Sequence, residues 1–144
     1  MRVAYVPNTQ VALASVCENP DGMRLSRQNV GWYGERLAEH YLVELGAELL
    51  ARNYRIPFGE IDLVVKHEGE LAAVEVKTRT ALDLEMPEEA VHWWKLRRIR
   101  QALTTYAADT DLLEMPWRID VVAIELDLDG KMLRLDHLRS VYPG

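Results

Sequence analysis

The sequence predicts an α/β domain with the element order αβββαβ, on three observations. Between Gly59 and Arg79 apolar and polar side chains alternate with a period of two over two runs joined at Glu68-Gly69. Two stretches, residues 33–45 and 91–106, carry apolar stripes at helical spacing. Arg118–Leu126, RIDVVAIEL, is an apolar run of strand length. With 144 residues the chain is long enough to bury a core as one domain, here residues 26–144, without disulfide staples.

Residues 1–25 mix small, polar and apolar types around Pro7, Pro20 and Asp21-Gly22, with no sustained period. They are expected to be a poorly ordered extension, Val3–Val6 being the one stretch suited to a short edge strand. Recognisable structure starts just after Met23, which makes Met23 a candidate translation start. No apolar run approaches the length of a membrane span, and VALASV at 11–16 is short and lacks preceding basic residues, so neither a membrane segment nor a signal peptide is expected. A single cysteine, Cys17, excludes an internal disulfide or a cysteine metal cluster and suits a cytoplasmic address.

From Ser26 or Asn29 as cap, a helix runs through Tyr33, Leu37, Ala38, Tyr41, Leu42 and Leu45 and stops at Gly46. Glu35 lies on the edge of that stripe; it is either an ordinary boundary glutamate or one that leans toward a neighbouring sheet. Gly31 and Gly34 are costly in a helix and point to close approach by another element or a substrate backbone. Ala47–Arg55 follows as a strand, with a turn at Pro57-Phe58-Gly59 leading into the hairpin.

In the hairpin, a two-residue turn pairs His67 with Glu70, which places Asp62 opposite Glu75 and Glu60 opposite Lys77 and leaves the reverse face apolar. Like charges facing each other across a ladder destabilise it, so the two carboxylates need a cation. Lys77, two residues from Glu75 on the same face, is one source; a divalent metal held by carboxylate oxygens is the other. Arg52, Arg55 and Arg79 lie beside this acidic face, suited either to gripping phosphates or to pairing with carboxylates such as Glu60 and Asp62.

Thr80–Glu89 is an acidic connection, and from Glu88 a second helix carries Val91, Trp94, Ile99, Ala102, Leu103 and Tyr106 inward. Lys95, Arg97, Arg98 and Arg100 make it the best phosphate-binding surface in a chain whose net charge of −6 excludes a generally sticky nucleic-acid binder. Adjacent Trp93 and Trp94 cannot both face the core; core or subunit-interface packing is the favoured use, with base stacking as the alternative. After Arg118–Leu126, Asp129-Gly130 turns the chain back into Lys131–Leu135. Asp120, inside the apolar strand, suits a salt bridge to a helix arginine better than a second acidic site. His137, in a polar terminal segment, is given no catalytic part.

GWYGERLAEHYL at 31–42, LLARNYR at 49–55, GEIDLV at 59–64 and VEVKTR at 74–79 together resemble the restriction-endonuclease-like, PD-(D/E)XK, superfamily. More narrowly, the chain looks like the YraN family of endonuclease-like proteins, themselves similar to archaeal Holliday junction resolvases. The resemblance covers about residues 28–125. It implies a mixed central sheet flanked by helices, Asp62, Glu75 and Lys77 at the metal-binding and catalytic positions, Glu35 completing the acidic site, and Mg²⁺ or Mn²⁺ as cofactor. It departs from the superfamily pattern where GEID replaces a proline before the aspartate. DNA is then the expected partner, with Arg52, Arg55, Arg79, Lys95, Arg97, Arg98 and Arg100 holding its backbone, and cleavage of a junction would call for a symmetric homodimer. The alternative is a catalytically silent nucleic-acid-binding module that recruits a partner protein.

Overall fold

Two helices cover opposite faces of a single mixed sheet, because its central strands are apolar on both sides. The computed structural model of the chain describes residues 2–5, 29–80 and 93–142. In chain order the elements are β1 (Arg2–Tyr5), α1 (Val30–Glu44), β2 (Glu48–Ile56), β3 (Gly59–His67), β4 (Glu70–Arg79), α2 (Trp93–Asp109), β5 (Trp117–Leu126) and β6 (Met132–Leu138). The six strands lie in the order β1-β6-β5-β4-β3-β2. β4 and β5 are parallel, joined by the crossover that contains α2, and the other neighbours are antiparallel.

Leu71–Glu75 of β4 is continuously buried, which is why its LAAVEV run lacks a clean inside and outside. On one face Leu37, Ala38 and Leu42 of α1 pack against Leu63, Val65, Ala72 and Val74. On the other, Leu96, Ile99, Ala102 and Leu103 of α2 pack against Val64, Leu71, Ala73 and Ile119. Each such fully buried Leu, Ile or Val is worth about 1.5–3 kcal/mol of apolar burial. The expectation of one charged and one apolar hairpin face is therefore corrected: both faces are core along the middle of the hairpin, and the charged side chains gather at its two ends.

The local signals mostly act as expected. Gly46, at φ 98°, ends α1. Glu68 and Gly69 both take positive φ, 53° and 77°, as a type I′ turn requires, and His67 pairs with Glu70. Three expectations change. Arg2–Tyr5, within the stretch expected to be loose, is an edge strand paired with β6; Met23 and the rest of residues 1–25 lie outside the described residues, as do residues 88–92 where the second helix was expected to begin. The last strand extends to Leu138. Ile61 belongs to the α2 side while Leu63 belongs to the α1 side, so the strict alternation slips at Asp62, opposite a part of β2 where Asn53 has φ 49°.

Buried charge is concentrated between the hairpin turn and the end of β6. Asp120, wholly inaccessible, accepts from Arg118 Nε at 3.1 Å and from the Ser140 amide at 3.0 Å, and lies 2.9 Å from His137 Nε2. His137 Nδ1 is in turn 2.9 Å from the Tyr41 hydroxyl of α1. Arg118 also donates to the His67 carbonyl and to Glu70, each at 3.3 Å, and so ties β5 to the hairpin turn. The partner of Asp120 is thus a strand arginine rather than a helix arginine, and His137 is a core residue rather than a surface one. Burial pushes the Asp120 carboxyl upward, but the bonds from His137 and Ser140 and the Arg118 charge outweigh it and leave the group below its ordinary value.

One glycine sets how closely α1 can sit on the sheet. A Cβ at Gly34 would lie 1.7 Å from the Thr78 hydroxyl oxygen and 2.8 Å from its Cβ, whereas one at Gly31 would meet nothing within 4 Å. Gly34→Ala is expected to destabilise by about 1–3 kcal/mol through overpacking, while Gly31→Ala should be stabilising by up to roughly 1 kcal/mol; urea denaturation of the two variants reads the opposite signs. Asp120→Asn leaves buried Arg118 with only the more exposed Glu70 as its anion and is expected to cost about 3 kcal/mol. Because the folded carboxyl lies below its unfolded value, its contribution is present at neutral pH and is lost as pH falls through the folded value. The difference between wild type and Asp120→Asn in denaturant midpoint should therefore narrow in acid.

Candidate functional site

The ladder between β3 and β4 runs from His67–Glu70 to Leu63–Val74 and then stops. One residue further on, Asp62 Oδ2 accepts the Val76 amide at 2.8 Å, so a carboxylate takes up a backbone donor at the point where the strands part. Glu75, the residue facing Asp62 by continuation of that register, is 7% exposed. The expected pairing of Glu60 with Lys77 is not formed. Beyond the parting β3 stays with β2, where Glu60 is opposite Arg55 and forms an ion pair with it at 3.3 Å.

Asp62 and Glu75 are shared by two grooves. One, of about 570 Å³, opens on the α2 side and is bounded by Arg55, Phe58, Trp94, Lys95 and Arg98. The other, of about 400 Å³, opens on the α1 side and includes Glu35, Thr78 and Thr80. Gly34 brings α1 onto β4 at Thr78, which carries the adjoining Glu35 to the second groove. Gly59 does the same for α2, because a Cβ there would lie 2.7 Å from the Arg98 carbonyl oxygen. Lys95, three residues earlier on α2, forms an ion pair with Glu75.

The electrostatics follow from crowding. Burial, then the Glu75 charge, with lesser contributions from Glu35 and Glu60, push Asp62 from 3.8 up to about 7, against the pull of the Val76 amide. Glu35 is raised by burial and by Glu60 and Glu75, partly offset by Asn53 and Arg55. Four carboxylates therefore share one region. Among the described residues no three His, Cys, Asp or Glu side chains form a ready-made metal cage. What is present is a pair of hard oxygen donors, Asp62 and Glu75, the second paired with Lys95, with Glu35 in the adjoining groove; that chemistry suits Mg²⁺ or Mn²⁺, which keeps several waters and takes one or two carboxylates.

The remaining candidates divide. Lys77 is half-buried on β4, two residues beyond Glu75 and beside Ala123 of β5. Arg55, Lys95 and Arg98 line the α2-side groove, whereas Arg97 lies over the Trp93 ring at 5.7 Å. Arg52 forms a two-bond ion pair with Glu39 that ties β2 to α1. Arg100 donates to the Tyr142 hydroxyl at 3.2 Å and lies over the Trp117 and Tyr142 rings, holding the C-terminal segment. Arg79 is half-buried at the end of β4. Neither Trp93 nor Trp94 is in the core; both are exposed, and Leu96 takes the inward position expected of Trp94. Sequence reasoning missed Phe58 and Thr78 as groove residues and Lys95 as the partner of Glu75; the turn PFG, with an aromatic residue at its tip, was the available sign for Phe58.

Fold and site define an α/β protein with an acidic cleft at the parting of its central strands. Residues 34–124 match the model of a family described as "Uncharacterised protein family UPF0102", and the chain belongs to that family. Its relatives include UPF0102 proteins of Beutenbergia cavernae, 41% identical over 81% of this chain and 98% of the relative, and of Roseiflexus castenholzii, 39% identical over 78% and 91%. A third, from Nocardia farcinica, is 40% identical over 81% and 91%. The matched region contains Glu35, Asp62, Glu75, Lys77 and Lys95.

Asp62 bears a consequence for stability. With its folded value raised above the unfolded one, the folded state keeps a proton between about pH 4 and 7 that the unfolded chain has lost, so stability from this group falls as pH rises through that window. In chelator, Asp62→Asn is expected to melt a few degrees above wild type at pH 8 and to lose that advantage near pH 4. Thermal melts of both proteins across pH check this.

Proposed function

We propose that the chain is a metal-dependent nuclease that hydrolyses DNA phosphodiester bonds, with branched or junction DNA as the structured substrate. The single observation that carries this reading is the placement of Asp62 and Glu75 together where β3 and β4 part, between two open grooves and with Lys77 following on the same strand. The restriction-endonuclease-like resemblance of GEIDLV and VEVKTR supports it.

In this mechanism Asp62 and Glu75 would hold Mg²⁺ or Mn²⁺, with Glu35 contributing directly or through water. Such an ion, when bound, lowers the pKa of a water and stabilises charge on the scissile phosphate. Lys77 orients the attacking water or stabilises the developing charge. Lys95 holds the Glu75 charge in the free protein and is placed to exchange that partner for a substrate phosphate. Arg55 and Arg98, on the groove walls, hold the backbone, so binding weakens with salt. A reducing cytoplasm suits the single cysteine.

One observation favours a second reading, the catalytically silent binding module: Glu75 already has a cation in Lys95, and no three-ligand cage is preformed among the described residues. Cleavage of linear, flap and four-way-junction DNA in Mg²⁺, Mn²⁺ or EDTA separates the two. The nuclease reading expects cutting in either metal, none in EDTA, and losses of at least about a hundredfold in Asp62→Asn and Lys77→Ala. Tight binding without cutting supports the silent module. Equal cutting by wild type and both variants rejects the site.

A further inference from the structure

The α2-side groove is lined by two chemically different sets of side chains. Asp62, Glu75 and Lys95 are charged; Phe58 and Trp94 are aromatic, 72% and 47% exposed. A pair of exposed aromatic side chains along one groove offers apolar surface to a ligand. Their positions are held. Gly59, next to Phe58, approaches the Arg98 carbonyl so closely that a methyl group would not fit, which locks the β2–β3 turn against α2. The Arg98 guanidinium lies over the Trp94 ring, 5.3 Å from its centroid, so the aromatic wall carries a stacked cation. Ring faces for a planar group beside a guanidinium for an anion are the two halves of nucleotide recognition.

We infer that this groove takes an unpaired nucleotide adjoining the phosphate to be cut, its base stacked on Trp94 and Phe58 and its phosphate held by Arg98. The inference rests on the nuclease reading and deepens it by naming the substrate class. Bases inside a duplex are stacked on one another and cannot offer their faces to side chains, so the groove selects nucleic acid that is single-stranded or splayed at that point. A flap or the centre of a branched DNA supplies such nucleotides next to a duplex, whereas an uninterrupted duplex does not.

Fluorescence anisotropy in EDTA measures this apart from any cleavage. The probes are a labelled twelve-nucleotide thymidine strand, the same strand with abasic sites throughout, and a blunt duplex. Wild type is expected to bind the thymidine strand at least about tenfold more tightly than the abasic strand or the duplex. Phe58→Ala and Trp94→Ala should each lose about tenfold on the thymidine strand alone, and Trp94→Phe should retain most of the affinity. Circular dichroism checks that the variants are folded. Equal binding of all three probes, or variants that bind the thymidine strand as wild type does, overturns the inference. So does a wild-type dimer in sedimentation that Phe58→Ala and Trp94→Ala dissociate without changing probe preference, because the aromatics would then serve a second copy of the chain. Metal-dependent cutting without stacking dependence removes this inference and leaves the nuclease reading; base-dependent binding without cutting does the reverse.

Discussion

Where β3 and β4 separate, the amide of Val76 finds its acceptor in the side chain of Asp62 instead of a strand carbonyl. That exchange lets a central ladder end inside the molecule without stranding a buried donor, a loss that would cost about 1–3 kcal/mol. It also fixes a carboxylate beside a second one, Glu75, in a place that both grooves reach. The site and the interruption of the sheet are the same feature.

The helices are set by their tolerance for close approach. Gly34 on α1 and Gly59 at the start of β3 are positions where a methyl group would strike the opposing layer, and they lie on opposite faces of the sheet. Each delivers a neighbouring polar side chain to the carboxylates: Glu35 from α1 and Lys95 from α2. Burial and the neighbouring carboxylates leave Asp62 hard to ionise, a condition that an added cation relieves.

Charge is handled differently at the far end of the hairpin. Arg118, Asp120 and His137 are as buried as the core leucines, but each has geometrically good partners, and the network joins α1, β5, β6 and the hairpin turn. Satisfied burial of this kind rigidifies, whereas the incomplete neutralisation at Asp62 and Glu75 leaves capacity for a ligand. The chain thus has one charged cluster that closes on itself and one that does not.

Local rules were legible in the residues alone. Glu68-Gly69 determined a type I′ turn, the turn determined the register from His67–Glu70 onward, and the register brought Asp62 to Glu75 before any tertiary contact was known. Gly46 determined the end of α1, and the period of RIDVVAIEL determined a buried strand. Tertiary structure decided what depends on residues distant in sequence. It decided that the ladder stops short of Glu60 and Lys77, since strand twist and the hold of β2 on β3 are properties of the sheet. It decided that Trp94 faces outward and Leu96 inward, because the phase of α2 follows from the holes offered by Ile61, Val64 and Ala73. It decided that Asp120 meets Arg118 of its own strand and His137 of β6 rather than a helix arginine, the second of these through pairing of β5 with β6 that no local pattern encodes. Periodicity assigns a residue to a face; only packing assigns that face a partner.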